Sequence, residues 1–275
     1  MRQKVLLLLI IFLLITPVIR AQYASVDTSE LLEKLYKRLI NNYVDTIRLR
    51  INDSIKVIIE SYVNSDSVFY HNYRNLKYLG QFTSPDSLLK IVTWNLVLSG
   101  MPGKYYCYII KRQEKEKQNL VYKLASDYKT PALATDTIYT EKEWYGALYY
   151  DIKPYTIDGK KMWVLLGIDY GNPFISRKII EVLSFSSDNS IVFGRKWFSS
   201  GTVTKYREVF EYASNGMMSL RFRSDSSIVF DHLVPFSPSV ANDRQYYGPD
   251  YSYDAYILKN GLWWLTINVD ARNKE

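Results

Sequence analysis

The sequence predicts an α+β protein made mainly of antiparallel sheet. An N-terminal helical pair leads into a meander of about a dozen strands, arranged as a sandwich or an incompletely closed barrel. Three observations carry this expectation. Between residues 31 and 63 apolar side chains recur at helical spacing. From about residue 80, runs rich in Tyr, Val, Ile and Trp alternate with turn residues every eight to twelve positions. Asp158-Gly159, Asn215-Gly216 and Asn260-Gly261 are pairs that tolerate positive φ and close tight hairpins.

The chain opens on Arg2 and Lys4, an unbroken apolar run from Val5 to Ile15, and Ile19-Arg20-Ala21. A short positive start, an apolar stretch, and a small residue after an aliphatic one form the layout a signal peptidase reads. Residues 1–21 are therefore expected to be a signal peptide cleaved between Ala21 and Gln22. Extended to Ile19, the apolar run is 15 residues, short of the roughly 20 needed to span a bilayer. No cysteine follows it to take a lipid, so a periplasmic or secreted protein with no remaining transmembrane span is expected.

The next expected region, 22–79, is helical. Asp27, Thr28 or Ser29 can cap a helix whose apolar face is Leu31, Leu32, Leu35, Leu39, Ile40 and Tyr43. A second set follows at Ile47, Ile51, Ile55, Ile58, Ile59, Tyr62 and Val63, with Asn52-Asp53-Ser54 as a possible start for its helix. Residues 80–275 are expected to form the β domain, in one folding unit with the helices. The Asn260-Gly261 hairpin can be read in register: Leu258 faces Trp263, Ile257 faces Trp264, and Tyr256 faces Leu265. Tyr256, Leu258, Trp263, Leu265 and Ile267 then form a core face. In the Asp158-Gly159 hairpin, Trp163 and Leu165 point one way and Val164, Leu166 and Ile168 the other. Strands apolar on both faces need cover on both, which argues against a single layer and against an outer-membrane barrel.

Charge and inventory exclude several function classes. The formal charge is +7, but Arg2, Lys4 and Arg20 belong to the expected signal, leaving 32 basic against 28 acidic residues, or +4. The basic residues are scattered, and the one dense run, 111–117, mixes signs, which argues against a nucleic-acid partner. One cysteine, Cys107, permits no internal disulfide and reads as a small buried hydrophobe. With two histidines, His71 and His232, the chain lacks the ligands of an ordinary zinc site. No cofactor fingerprint or nucleophile motif is present, so no cofactor, metal or catalytic residue is assigned.

Three constellations remain. Asp231 and His232 are neighbours on a strand and face opposite ways, so His232 can act as a base only with a partner from elsewhere. Among carboxylates, Glu208 and Glu211 face opposite ways, as do Asp151 and Asp169. The segment Tyr246, Tyr247, Asp250, Tyr251, Tyr253 and Asp254, around a Gly-Pro turn, is the candidate ligand-binding loop, because tyrosines give contact area at low entropic cost. The competing reading buries those rings on the sheet.

The strings Val92-Thr93-Trp94-Asn95, Phe230-Asp231-His232-Leu233-Val234-Pro235 and Tyr247-Gly248-Pro249-Asp250-Tyr251-Ser252-Tyr253-Asp254, with the ending Val269-Asp270-Ala271-Arg272-Asn273, resemble a group of secreted proteins of unknown function from Gram-negative bacteria. The resemblance runs from about Leu79 onward. It implies an envelope or secreted location and brings no activity or ligand. The expectation is a non-enzymatic binding or envelope-associated module whose partner is a small molecule, a glycan or an envelope protein. A hydrolase of envelope glycan or peptide with dispersed carboxylates or His232 is the alternative. A third role is docking of the helical pair to a partner through an exposed Leu31, Leu35 and Leu39 face.

Overall fold

The computed structural model describes residues 28–74, 76–113, 118–128 and 133–270. The expected signal peptide, Ala21, Gln22 and Asp27 lie outside them. The chain divides into two compact units, residues 1–78 and 79–275.

In the first unit, helix α1 spans 28–40 and α2 spans Asp45–Val63. Leu32, Leu35, Tyr36 and Leu39 form the buried stripe of α1, while Leu31, Ile40 and Tyr43 are exposed. Leu35 and Leu39 are buried, so the Leu31, Leu35 and Leu39 face expected for docking is not exposed as a whole. Asn52-Asp53-Ser54 does not start the second helix. Asn42 accepts the Val44 amide at 2.9 Å, the helix begins at Asp45, and Asn52 lies within its buried face.

The second unit is built from three sheets. The first contains β1 (Gly80–Thr83), β2 (Leu89–Leu96), β3 (Lys104–Lys111) and β4 (Leu120–Asp127), in that order. The central sheet runs β5 (Tyr139–Thr140), β9 (Ile191–Phe193), β8 (Ile175–Phe185), β7 (Lys160–Asp169) and β6 (Leu148–Ile157). β12 (Glu208–Ala213) also pairs with β8, beyond the stretch that β9 uses. The third sheet runs β11 (Thr204–Lys205), β10 (Phe198–Ser199), β16 (Leu262–Thr266), β15 (Tyr247–Lys259), β14 (Ser227–Pro235) and β13 (Leu220–Ser224).

Side-chain alternation turns the central sheet into the middle of a three-layer stack. Trp163, Leu165, Ile179 and Leu183 pack with Ile91, Cys107 and Leu124 of the first sheet. Val164, Leu166, Ile180 and Val182 pack with Ile228, Phe230, Tyr256 and Trp263 of the third. Val164, Leu165 and Leu166 are each fully buried, and burial of such a side chain stabilises by roughly 1.5–3 kcal/mol.

The Asn260-Gly261 hairpin has the anticipated register, Leu258 opposite Trp263 and Ile257 opposite Trp264, with both turn residues at positive φ. Ile267 departs from it. β16 ends at Thr266, Asn268 takes φ 54°, and Ile267 is 69% exposed instead of joining the core face. Asn215-Gly216 closes no hairpin, because it carries the chain from β12 in the central sheet to β13 in the third. β9 ends at Phe193. Gly194, at φ 102°, turns the chain out of the central sheet, and β10 then pairs parallel with β16.

Candidate functional site

The segment 246–254 is for the most part sheet, because Leu233, Val234 and Pro235 of β14 pair with Pro249, Gly248 and Tyr247. Its side chains therefore disperse. Tyr246 ends a 3₁₀ turn and is partly exposed. Tyr247 is buried, its hydroxyl donates to the Ala241 carbonyl at 2.6 Å, and the Arg244 guanidinium lies 4.2 Å from its ring centre. A register shift between Asp231 and Leu233 accommodates Tyr251, which is 96% exposed at φ 69°. Asp250 turns back on Ser252, accepting its amide at 3.0 Å and its hydroxyl at 2.7 Å. Those bonds hold the Asp250 carboxyl below its ordinary range. Tyr253 packs beside Val229 and Ala255 on the far face of the third sheet. The four rings and two aspartates do not converge on one surface.

One of the six, Asp254, does enter a cleft of about 360 Å³ where the apolar layer between the central and third sheets gives way to polar residues. Asp254 is buried and accepts the Asn268 amide at 2.9 Å and His232 Nδ1 at 2.7 Å. A carboxylate opposite Nδ1 places the proton there and leaves Nε2 as the other ring nitrogen. The His232 side chain is 39% exposed and lines the cleft. The hydrogen bond to Asp254 raises the His232 pKa, burial opposes it, and the charges of Asp254 and Asp250 add to the rise. The partner that His232 needs from elsewhere is thus Asp254, across the β14–β15 pairing, and not Asp231. Asp231 instead accepts the Ser219 amide at 2.7 Å through Oδ2.

Across the cleft, β12 supplies Glu208 and Phe210. Glu208 Oε1 accepts Lys205 Nζ at 2.8 Å and its neighbour's amide, Val209 N, at 3.1 Å. Glu208 Oε2 accepts the Tyr256 hydroxyl at 2.5 Å and Lys205 Nζ at 3.1 Å. Burial first, then the Glu208 charge, pushes the Tyr256 pKa up and keeps its hydroxyl a donor. Glu211 faces the other way, as alternation requires, and accepts Arg177 Nε at 2.8 Å. Arg177 also reaches Asp169 at 2.9 Å, and Asp169 accepts the hydroxyls of Tyr105 and Tyr145, each at 2.8 Å. This second network is buried between the first and central sheets. Asp151, the other carboxylate considered with Asp169, is half-buried and accepts the Ile152 amide at 2.8 Å, so the two form no pair.

His71 belongs to the helical unit, edge-on to Tyr62 and Tyr73. Cys107 is fully buried, which pushes its thiol pKa up. Among the described residues no group of three or more His, Cys, Asp or Glu side chains is disposed to hold a metal ion. The cleft's described lining includes no serine, threonine or cysteine. Lys205, Arg244 and Tyr256 carry no motif signature, and the fold brings them to one cleft from β11, a 3₁₀ turn and β15. No protein-family model, no curated protein sequence and no solved structure matches this chain.

Proposed function

We propose that the protein is an exported, non-enzymatic binding module that holds a neutral, hydroxyl-rich ligand of the saccharide class in the His232–Glu208 cleft. The supporting observation is that two ion pairs line this cleft while one cation, Arg244, and one anion, Asp231, have no ion-pair partner among the described residues, so the remaining charges offset each other and leave hydrogen-bonding capacity over. Lys205 is paired with Glu208 and His232 with Asp254. Donors remain at Arg244 and at Lys205, which spends its bonds on Glu208 alone, and an acceptor remains at Asp231 Oδ1. Phe210 and Phe230 supply apolar surface beside them, with ring centres 4.4 Å apart. A sugar offers the matching set: hydroxyls that both donate and accept, and apolar faces that pack on rings.

Titration calorimetry of the full chain with a panel of envelope-type oligosaccharides tests this reading. At least one should bind, and Arg244→Ala and Asp231→Asn should each weaken it about tenfold, as loss of a hydrogen bond to a charged group predicts. Binding that ignores both substitutions would remove the ligand from this cleft. Export itself is tested by the mass of the protein recovered outside the cytoplasm, where a start at Gln22 is expected and an intact Met1 would reject it.

The hydrolase alternative is favoured by one observation, a carboxylate–imidazole pair, Asp254–His232, among the residues lining a cleft. In that geometry His232 would take a proton from water attacking the bound ligand while Asp254 holds the ring and its tautomer. Turnover of a bound oligosaccharide that His232→Gln abolishes without loss of binding would establish it. Binding with no turnover between pH 5 and 9 would leave the module reading alone.

A further inference from the structure

A second concave surface lies at the end of the unit where β3 finishes and the β6–β7 hairpin turns. The groove encloses about 280 Å³ and is lined by Lys111, Arg112, Lys160, Lys161, Trp163 and Phe185, among others. The sequence gives no hint of it. Lys111 and Arg112 begin a run of mixed sign, and Lys160 and Lys161 follow a tight turn some fifty residues later. The first and central sheets, packed face to face, bring these two pairs together.

The described lining holds four basic residues and no carboxylate. Lys161 shares one carboxylate, Asp86, at 3.2 Å, and that carboxylate also accepts the Ser84 hydroxyl and the Leu88 amide. Lys111 Nζ sits 4.4 Å from the Phe185 ring centre and donates to the neutral amide oxygen of Asn189 at 2.7 Å. Asp188, the remaining carboxylate of the adjoining turn, is engaged by the amide and hydroxyl of Ser190. Lys160 is exposed and has no ion-pair partner among the described residues. Burial lowers the Lys111 pKa, so an anion placed beside it would restore the charge that the groove makes costly.

We propose that this groove binds a ligand carrying two or more phosphate or sulfate groups. Tetrahedral oxyanions suit it because ammonium groups act as point charges that need no fixed fork. The volume exceeds what a single oxyanion fills, since a water occupies about 30 Å³ in the liquid. Leu88 and Phe185 offer an apolar wall for the body that links the groups. The proposal is independent of the His232 cleft, and either can fail without the other.

The test is titration of the full chain with inorganic pyrophosphate, with a sulfated hexasaccharide, and with phosphatidylglycerol vesicles. The comparison is wild type against Lys160→Gln/Lys161→Gln, with Lys34→Gln in the helical unit as the charge control. The expected result is oxyanion binding that weakens with added salt and drops about a hundredfold in the double variant, roughly tenfold per charged contact. The control should bind as wild type does. Vesicle binding without binding of the free ions, lost in the double variant, also supports the site and assigns a lipid headgroup as the source. No binding of any probe by wild type, or equal binding by the double variant, overturns the proposal. Urea unfolding of the double variant shows whether any loss comes from unfolding, and Lys160→Gln alone, at an exposed side chain, repeats the comparison if it does.

Discussion

Replacing Tyr256 by Phe tests whether the inner wall of the cleft is held by a charge-assisted hydrogen bond. The Tyr256 hydroxyl lies 2.5 Å from Glu208 Oε2 in a buried environment, and the only other partner of that oxygen among the described residues is Lys205 Nζ at 3.1 Å. The ring itself would stay where it is, against Phe198 and Phe230 with centres 5.4 and 5.8 Å away, so apolar burial is nearly unchanged. What is lost is one hydrogen bond to a carboxylate, about 2 kcal/mol within the usual range of 1.5–3. For a unit of this size that is a fall in Tm of roughly 4–8 °C. All six tryptophans lie between Trp94 and Trp264, so their fluorescence during urea unfolding reports the second unit alone. The midpoint should fall with an unchanged slope. Tyr253→Phe is the control, because the Tyr253 hydroxyl has no hydrogen-bond partner among the described residues, and it should change stability by less than about 0.5 kcal/mol. A Tyr256→Phe variant as stable as that control would refute the assignment of Glu208 as an anchored carboxylate.

Three further outcomes follow from the same geometry. In Asp254→Asn the His232 pKa, read by NMR titration, should fall, because its largest upward cause is removed. The folded value is raised, so the pair's stabilisation is complete below the unfolded value of about 6.5 and fades as pH climbs through the folded one. The stability gap between wild type and variant should therefore narrow on going from pH 6 to pH 9. Arg207→Met should cost about 3–5 kcal/mol, since it strands buried Glu181, bonded at 2.6 Å, and frees the carbonyls of Ala134, Thr137 and Phe193. A loss below 1 kcal/mol would contradict that accounting. Cys107, fully buried with a raised thiol pKa, should react with a thiol reagent only as fast as the unit opens, so labelling should accelerate with urea. Fast labelling in buffer would show that the layer between the first and central sheets is breached.

What the sequence reveals about this fold is what short-range chemistry decides. The Asn260-Gly261 register can be read from the text because a two-residue turn and alternating side chains fix it within ten positions. The two-faced apolar pattern of Val164, Leu165 and Leu166 likewise announces a covered sheet, and both faces are covered. Where the reading slips, a longer-range partner intervenes. Asn215-Gly216 has hairpin chemistry, yet the strands on either side pair with β8 and β14, which the turn cannot specify. The tyrosines of 246–254 look like a loop because Gly and Pro suggest one, but Val234 and Pro235 recruit the segment into the sheet. The candidate site was the least legible part. Asp254 stood in the expected set for its neighbours rather than for its partner, and Lys205, Arg244 and Tyr256 join it only through contacts across the fold.

The charges around β12 show why a chain with so apolar an interior keeps ionisable groups inside it. Arg207 points toward the first sheet and closes on Glu181, Glu208 points toward the third and closes on Lys205 and Tyr256, and Glu211 returns to Arg177. β12 occupies the part of the β8 edge that β9 leaves open, so its placement along that edge must be set by something other than turn length. Apolar alternation alone would accept a slip of two residues, which keeps every side chain on its face. The two ion pairs that reach β8, Arg207–Glu181 and Glu211–Arg177, would not, since each would lose its partner and leave a charge buried, at several kcal/mol apiece. The same arrangement holds Glu208 at the cleft, so the device that fixes the register also fixes one wall of the proposed binding site. A double replacement of Arg207 and Glu181 by Met and Leu should therefore separate the two roles. Stability can recover relative to Arg207→Met alone, while ligand affinity at the cleft should fall if register has been loosened and stay intact if Glu211 suffices to hold it.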